Sequence, residues 1–315
     1  MLLQLGTPEA PTTAALRRYL AQFLADPRVI DLPRWQWLPI LHGIVLNTRP
    51  RKSAAEYAKV WTPNGSPLAL IAAQQARLLE RALDSPERPI RVRVVMRYGE
   101  PSTSTVLRDF ERAGIERIVA VPMYPQYAGA TTGSSLEELF RVAATRQVVP
   151  SIRVVSPYFE DPGYIGALAS GAQRRLGDWT PDHVVLSFHG IPERYVKEGD
   201  PYAEHCFATA RALCAQMGWP SEMVTTSFQS RFGREVWLRP YTDETLARLG
   251  RDRTRRVAVL CPGFTADCLE TIEEIGGRER HNFERQGGGE MRRVACVNAQ
   301  GLWMSALADL VRPLL

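Results

Sequence analysis

The sequence has no apolar run long enough to cross a membrane. A membrane-spanning helix needs about 20 consecutive apolar residues, whereas the longest candidate segment, Leu38 to Leu46, is interrupted by a proline, a histidine and a glycine. The amino end also lacks the basic residues of a secretory signal, because Met1 to Leu5 runs directly into Gly6-Thr7-Pro8. We therefore expect a cytoplasmic protein without a leader or a membrane span.

Cysteine is scarce, and its spacing excludes the common thiol sites. The chain has five cysteines and no Cys-x-x-Cys pair, so neither a structural zinc nor a thioredoxin-like centre is indicated. An odd count without a secretory signal predicts reduced thiols. The five are Cys206, Cys214, Cys261, Cys268 and Cys296.

Nucleotide and nucleic-acid motifs are missing as well. No Gly-x-Gly-x-x-Gly follows a strand, which argues against a dinucleotide cofactor. The segment Gly129 to Ser135 is one residue too short for a phosphate loop and has no lysine before its hydroxyl residues. Its hydroxyls Thr131, Thr132 or Ser134 are expected to cap a helix instead. Zinc-finger spacing and aromatic RNA-binding signatures are absent, so we expect no nucleic-acid partner.

The remaining composition is that of an ordinary globular protein. Apolar residues make up 45% and charged residues 23% of the 315 residues, which allows one large domain or two of average size. The net charge of +5 fits either a slightly basic soluble protein or a basic site for a polyanionic ligand or membrane surface. Arg49, Arg51 and Lys52, beside a stretch rich in Trp and Leu, favour the ligand.

Strand-like and helix-like segments alternate along the chain, which predicts parallel sheets covered by helices on both faces. For one helix, Ser66 and Pro67 supply an N-cap and a first-turn proline, with an end near Leu83. A faint repeat relates residues 106–122 to residues 246–262, which suggests two similar α/β lobes. The predicted lobes are residues 1–148 with the C-terminal helix 300–315, and residues 149–299. The predicted strands are Val92–Arg97, Arg117–Pro122, Ile152–Ser156, His183–Phe188, Met223–Phe228, Val257–Cys261 and Val294–Val297.

Chemically distinctive residues follow several of these strands, where open parallel sheets bind ligands. His189 ends one strand, and a Pro-Gly turn after another opens a helix that carries Glu270, Glu273 and Glu274. Asp267, Glu270 and Glu274 would share one helical face. A lone strand-end histidine is more often structural, but carboxylates close to it favour a metal or proton site.

A tryptophan- and leucine-rich segment near the amino end is unusual. The run Leu32 to Leu41 contains two tryptophans and two prolines and is followed by the basic residues named above. One interpretation is an ordinary buried helix. The other is a semi-exposed apolar lip over a flat apolar ligand, with cations at its rim for carboxylates.

These motifs, in this order, resemble those of the ferrochelatases of proteobacterial type, enzymes that insert ferrous iron into a porphyrin in haem synthesis. The similarity runs from Leu3 almost to the carboxyl end. It includes Lys59-Val60-Trp61 with Gly65-Ser66-Pro67-Leu68, Tyr124-Pro125-Gln126-Tyr127, Thr131-Thr132-Gly133-Ser134-Ser135, Ser187 to Tyr195, Gly199-Asp200-Pro201-Tyr202, Phe228 to Gly233, Trp237-Leu238, Tyr241 to Thr245, and Cys261 to Ile275.

The resemblance implies a chelatase-like fold of two Rossmann-like lobes with a porphyrin cleft between them. His189 and Glu270 match the metal-site positions, Glu274 joins them as a catalytic residue, and Asp267 and Glu273 belong to an acidic path. The positions implied to hold porphyrin are Arg49, Lys52, Tyr57, Ser66, Arg97, Tyr124 and Trp237. The segment 32–41 matches the apolar lip and is a surface for peripheral membrane contact.

The sequence departs from some relatives in ways that bear on cofactors. Some relatives carry a [2Fe–2S] cluster, but Gly129 occupies the place of an early cluster cysteine and no cysteine trio follows near the carboxyl end. We therefore expect no iron–sulfur cluster and no organic cofactor, with Fe²⁺ as substrate. Leu5 occupies a position that is Met or Tyr in some relatives, so we expect no axial ligand there.

The expected reaction is insertion of Fe²⁺ into protoporphyrin IX by a monomeric lyase. A neutral imidazole could accept a pyrrole proton or bind the iron, and the residues leave both roles open. Coproporphyrin III as substrate, another tetrapyrrole chelatase, and a metal- or tetrapyrrole-binding protein without catalysis are the alternatives. The acidic helix near His189 argues against the last of these.

Overall fold

The computed structural model describes residues 1–233 and 235–315. The chain divides into two compact units. The first comprises Met1–Met123, Ala128–Ser156 and Ala308–Leu315, and the second comprises Tyr124–Tyr127 and Pro157–Leu307.

The described residues form one parallel sheet of four strands in each unit. The order is β2-β1-β3-β4 in the first unit and β6-β5-β7-β8 in the second. The strands are β1 Leu2–Gly6, β2 Val94–Tyr98, β3 Arg117–Pro122, β4 Ser151–Val154, β5 His183–His189, β6 Val224–Gln229, β7 Arg256–Leu260 and β8 Glu290–Arg293. In each sheet the chain order reverses next to the first strand, because β1 lies between β2 and β3, and β5 lies between β6 and β7. Parallel sheets bind ligands at the carboxyl ends of their strands, next to such a reversal.

Helices connect the strands. The α-helices are α1 Thr13–Phe23, α2 Arg34–Ile40, α3 Leu46–Val60, α4 Pro67–Leu83, α5 Thr103–Arg112, α6 Ser134–Ala143, α7 Pro162–Leu176, α8 Glu193–Lys197, α9 Tyr202–Met217, α10 Thr242–Arg251, α11 Arg280–Arg285 and α12 Gly301–Val311. Three segments are π-helical, Leu41–Val45, Gly129–Gly133 and Glu270–Glu279, and Ser221–Met223 and Arg312–Leu314 form 3₁₀ turns. Within the described ranges, no helix has both the length and the apolar character of a membrane span.

Local sequence signals account for the helix ends. The Ser66 hydroxyl accepts a hydrogen bond from the Ala69 amide at 3.2 Å, and Pro67 occupies the first turn. This confirms the predicted start of α4. Helix α9 ends at Gly218, whose φ of 65° lies in the left-handed region that glycine adopts without strain.

Alternating side chains of the first sheet build its core. Leu3, Val95, Ile118 and Ala120 are buried on one face against α5 and α6. In the second unit, Val185, Val257 and Val259 form the corresponding core. These strands are apolar on both faces, as expected for sheets covered by helices on each side.

Two sequence predictions are wrong. Val294–Val297 does not form a strand; β8 precedes it, because the register pairs Glu290 to Arg293 with Arg256 to Val259. Val294, Cys296 and Val297 are buried beyond the end of β8. The predicted hydroxyl cap of α6 is also absent, because the π-helical turn Gly129–Gly133 runs directly into α6.

We expect Gly6→Ala to destabilise the protein by more than about 2 kcal/mol. An ideal Cβ at Gly6 would lie 1.8 Å from the Tyr98 carbonyl oxygen, and the φ of 117° is strained for other residues. Urea unfolding measures the effect. Gly166→Ala, with no heavy atom within 4 Å in helix α7, is the control and should be neutral or stabilising. Equal stability of Gly6→Ala and wild type would contradict the packing.

Candidate functional site

His189 is the last residue of β5, the strand between β6 and β7 in the second sheet. Its Nδ1 lies 2.7 Å from the carbonyl oxygen of Gly190. A carbonyl oxygen only accepts hydrogen bonds, so Nδ1 carries a proton, and in the neutral ring Nε2 keeps its lone pair. In its neutral form the half-buried ring therefore presents Nε2 as the nitrogen that can bind a metal or accept a proton.

Gly190 is held in a tight position that fixes this carbonyl. Its amide donates to the Gln229 carbonyl at 2.8 Å. A Cβ at this position would lie 3.1 Å from both the Gln229 oxygen and Trp237 Cε3. Glycine is the residue that allows the backbone, the neighbouring strand and the indole to approach this closely.

Trp237 packs beside this histidine. Its ring centroid lies 6.5 Å from that of His189 and 4.7 Å from that of Phe232. The side chain is buried, and within residues 1–233 and 235–315 no hydrogen-bond partner satisfies its indole N–H. A buried donor of this kind is available to a ligand.

The acidic residues lie on a π-helix rather than the regular helix that the sequence predicts. Glu270–Glu279 is π-helical, with hydrogen bonds from i to i+5. Its wider turn brings residues four or five apart onto one side, so Glu270 and Glu274 align. Asp267 precedes the helix, so the predicted shared face of three acids on a regular helix is wrong.

Glu274 is the glutamate of this helix with a hydrogen bond from Ser230 and an ion pair with Arg278. Its Oε2 accepts a 2.6 Å hydrogen bond from the Ser230 hydroxyl, and its Oε1 lies 3.0 Å from an Arg278 nitrogen. Burial raises the pKa of Glu274, and the charge of Glu270 adds to this rise. The Ser230 bond and the charge of Arg278 oppose it without cancelling it, as does the charge of His189 when its ring is protonated. The charges of His189 and Glu270 thus both act on this carboxyl.

The sequence motifs assign no role to Gln229, Ser230 and Arg278. The Gln229 amide nitrogen donates to the Glu270 carbonyl at 3.1 Å, and its oxygen accepts from Ser187 at 2.7 Å. Ser230 has a φ of 68°, which is uncommon outside glycine and accompanies functional sites. The position of Gln229 and Ser230 at the end of β6 could have indicated a role for them, because ligands bind at strand ends. No sequence signal indicated a role for Arg278.

Asp267 is occupied by other partners. Its Oδ1 pairs with Arg293 at 2.5 Å and accepts from Thr271 at 2.8 Å, and its Oδ2 accepts from Asn298. Burial would raise the pKa of Asp267, but Arg293 and these hydrogen bonds together hold it below its usual range. These contacts favour a carboxylate that fixes the start of the acidic helix.

The predicted metal residues do not form a ready-made cage. Among the residues the structure describes, no three His, Cys, Asp or Glu side chains are grouped as metal ligands. Cys268 is buried, and burial raises the pKa of its thiol well above the ordinary value. A neutral thiol is a poor ligand for iron, so the available donors near the carboxylates are His189 Nε2 and oxygens.

The predicted porphyrin residues are distributed over both units. Arg49 and Lys52 are exposed three residues apart on α3, a spacing that puts them on one helix face. Tyr57 is buried on the same helix, with its ring 6.2 Å from that of Trp61. Ser66 is buried as the N-cap of α4. Tyr124 and Trp237 belong to the second unit.

Arg97 has a buried counter-ion that the sequence did not indicate. Its Nη2 lies 2.5 Å from Asp26 Oδ2, which also accepts hydrogen bonds from Tyr98 at 2.8 Å and Ser134 at 2.6 Å. Burial would raise the pKa of Asp26, but the hydrogen bonds from Ser134, the Arg28 amide and Tyr98 and the charge of Arg97 hold it below its usual range. Arg97 is therefore neutralised by Asp26.

The segment 32–44 favours the interpretation as a lip over that as a buried helix. Leu32, Trp35, Ile40 and Ile44 are exposed, Trp35 by 76%. The Trp37 indole donates to the Leu24 carbonyl at 2.6 Å, which anchors the segment to the end of α1. The Trp37 hydrogen bond thus holds the segment against α1, while the four apolar side chains named above face solvent.

Comparison with known proteins supplies independent information. The sequence model of the family described as Ferrochelatase matches residues 1–315. The chain is 49% identical over 316 residues to the Ferrochelatase of Azoarcus sp. (strain BH72), covering 99% of this chain and 86% of that protein. It is 43% identical over 316 residues to Ferrochelatase 2 of Shewanella oneidensis (strain MR-1), covering 100% of this chain and 97% of that protein.

Solved structures share the fold. SirB from Bacillus subtilis with Fe³⁺ matches with a TM-score of 0.56 at 20% identity, covering 79% of this chain and 92% of that chain. SirB from Bacillus subtilis subspecies spizizenii in complex with cobalt, a sirohydrochlorin chelatase, matches with a TM-score of 0.54 at 18% identity, covering 79% and 91%. This similarity confirms the predicted chelatase-like α/β fold.

We expect Asp26→Asn to cost about 3 kcal/mol at pH 7, since it leaves Arg97 without its buried counter-ion. The folded-state pKa of Asp26 is lowered, so its carboxylate stabilises the fold above about pH 4 and loses this contribution as the pH falls. The difference between wild type and variant should therefore shrink in acid. Urea unfolding from pH 7 to pH 3 measures it. The exposed Asp109→Asn is the control. A difference that grows in acid would contradict the assignment.

Proposed function

Because the chain belongs to the ferrochelatase family, we propose that His189, Glu270 and Glu274 handle the iron and the pyrrole protons in its reaction. The resemblance to ferrochelatases of proteobacterial type is confirmed. The protein is an enzyme, a lyase that inserts Fe²⁺ into a porphyrin in haem biosynthesis.

The hydrogen bond from His189 Nδ1 to the Gly190 carbonyl is the observation that carries the proposal. It leaves the lone pair of Nε2 free to act on the substrate. A histidine fixed in this way resembles metal-binding histidines, whose second nitrogen donates to a carbonyl or carboxylate. His189 acts either by binding Fe²⁺ or by accepting a pyrrole proton, and the geometry fits both.

Glu274 is proposed to receive protons that leave the ring. A carboxyl whose pKa is raised by burial is a better base near neutral pH than an ordinary glutamate. Ser230 and Arg278 each hold one of its oxygens, so the carboxyl stays in a fixed orientation. Glu270, aligned with Glu274 on the π-helix, would supply an oxygen ligand for the incoming iron. Glu273 and Asp267 continue this acidic path in the proposal.

The porphyrin-binding residues are proposed to come from both predicted lobes, residues 1–148 with 300–315 and residues 149–299. Arg49, Lys52 and Ser66 would hold propionates, with Arg97, Tyr57, Tyr124 and Trp237 around the ring. The exposure of Arg49 and Lys52 on one face of α3 supports the propionate role. The Asp26 ion pair makes Arg97 the weakest member of this set, because a propionate must compete with Asp26.

Binding to these residues would also distort the ring. A planar porphyrin must bend before a nitrogen lone pair faces the metal, and contacts with remote parts of the ring can supply that energy. A non-planar ring gives up its two pyrrole protons as the metal enters.

Protoporphyrin IX is the proposed ring, with coproporphyrin III as the alternative. We also propose that the enzyme works as a monomer in the cytoplasm without an organic cofactor. The exposed apolar side chains of the lip support peripheral contact with a membrane, from which a poorly soluble ring could enter.

His189→Ala is expected to lower kcat for Fe²⁺ insertion at least 100-fold, the scale of a lost acid–base catalyst. The measurement is anaerobic insertion assayed side by side with protoporphyrin IX and coproporphyrin III. His281→Ala, a change at an exposed histidine on α11, is the control. Near wild-type turnover of His189→Ala on both rings would refute the role of His189. Faster turnover of coproporphyrin III would overturn the substrate assignment alone.

Arg49→Ala is expected to raise the apparent KM for porphyrin about tenfold or more while kcat changes little. A charge-assisted hydrogen bond contributes about 1.5–3 kcal/mol, and each 1.4 kcal/mol changes affinity tenfold. Arg51→Ala, a change at an exposed arginine two residues away on the same helix, is the control. Equal KM values for the two variants would count against a propionate contact at Arg49.

The protein is expected to purify without an iron–sulfur cluster. Such clusters usually require four thiolates, and burial raises the pKa of the Cys206, Cys268 and Cys296 thiols well above the ordinary value. Iron and sulfide analysis of anaerobically purified protein tests this. Two irons and two sulfides per chain, lost on Cys214→Ser or Cys296→Ser, would overturn it.

A further inference from the structure

The first unit contains a cavity of about 540 Å³ at the amino-terminal edge of its sheet. Leu2 on β1 and Val119 and Val121 on β3 contribute to its floor. Leu79 from α4 lines one side, and Leu314 from the C-terminal segment lines another. The volume lies in the range of about 300–1,000 Å³ that is usual for pockets that bind small molecules.

The register of the strands explains why this floor is continuous. Leu2 pairs with Val121, and Val119 pairs with Arg153 of β4. Side chains alternate along a strand, so Val119 and Val121 lie on the face opposite the core residues Ile118 and Ala120. Leu2, Val119 and Val121 thus bring to the cavity the sheet face opposite the first core, while Phe110 and Ile118 of that core also line it.

Four arginines also line this cavity. Arg88 and Arg91 precede β2, Arg117 opens β3, and Arg153 lies on β4. All four are exposed, and Arg153 donates to the Leu314 carbonyl at 3.0 Å. Glu116 is the acidic side chain in the lining, so the guanidinium groups remain in excess. An apolar floor with a basic rim suits a ligand that is apolar at one end and anionic at the other.

We propose that this cavity binds an amphipathic anion, a molecule with an apolar body and one terminal carboxylate or phosphate. The aliphatic side chains would bury the body, which stabilises binding through the hydrophobic effect. Guanidinium groups match carboxylate and phosphate oxygens with paired hydrogen bonds. None of its residues belongs to the proposed iron and porphyrin site, so the inference goes beyond metal insertion and does not depend on it.

Isothermal titration of the full chain with dodecanoate and with dodecyl phosphate, below their micelle concentrations, tests the proposal. We expect Arg91→Ala combined with Arg117→Ala to raise the Kd at least tenfold. The matched control combines Arg251→Ala with Arg255→Ala, which removes two exposed arginines from the second unit. Fe²⁺ insertion should be unchanged in both, and dodecanol and acetate should each bind at least tenfold more weakly than dodecanoate.

The two amphiphiles distinguish the head groups, and tight binding of either one that depends on Arg91 and Arg117 supports the site. Equal loss of affinity in the two double variants would overturn it, because the effect would then reflect net charge alone. If only the double variant with Arg49→Ala and Lys52→Ala lost affinity for the amphiphile, the amphiphile would bind in the porphyrin site. That result would also overturn the proposed cavity site. So would failure of both amphiphiles to bind.

Discussion

The proposed chemistry depends first on the hydrogen bond that His189 Nδ1 donates to the Gly190 carbonyl. This carbonyl is in place because Gly190 has no side chain to separate the backbone from Trp237 and the neighbouring strand. The bond selects the tautomer with a free Nε2, the nitrogen that a metal or a pyrrole proton requires. A side chain at position 190 would therefore affect the chemistry through the orientation of the imidazole.

The ionised form of Glu274 on the acidic helix is disfavoured, and neighbouring residues of the second unit offset part of that cost. Burial disfavours the charged form of Glu274, and Glu270 disfavours it further, while Ser230, Arg278 and His189 favour it. A carboxyl balanced in this way changes its protonation with small changes in nearby charge. Arrival of Fe²⁺ is such a change, and it would favour release of the protons just accepted. Gln229 joins this helix to β5, since its side chain bonds both Ser187 and the Glu270 carbonyl.

Much of the architecture could be predicted from the sequence because its signals are local. Ser66 with Pro67 marks the start of α4, and the strand-end position of His189 follows from the apolar run before it. The π-helical form of Glu270–Glu279 could not be predicted, since residue spacing carries no signal that separates it from a regular helix. The Asp26–Arg97 pair joins residues 71 positions apart, a distance that no periodicity bridges.

The tautomer of His189 tests the central claim most directly. Two-bond ¹H–¹⁵N spectra of protein labelled at its histidines distinguish an Nδ1-protonated ring from an Nε2-protonated one. The chain has five histidines, and the His189→Ala spectrum assigns the signal by its loss. We predict that the neutral ring of His189, without metal, carries its proton at Nδ1 and leaves Nε2 unprotonated. A ring protonated at Nε2 with a free Nδ1 would contradict it.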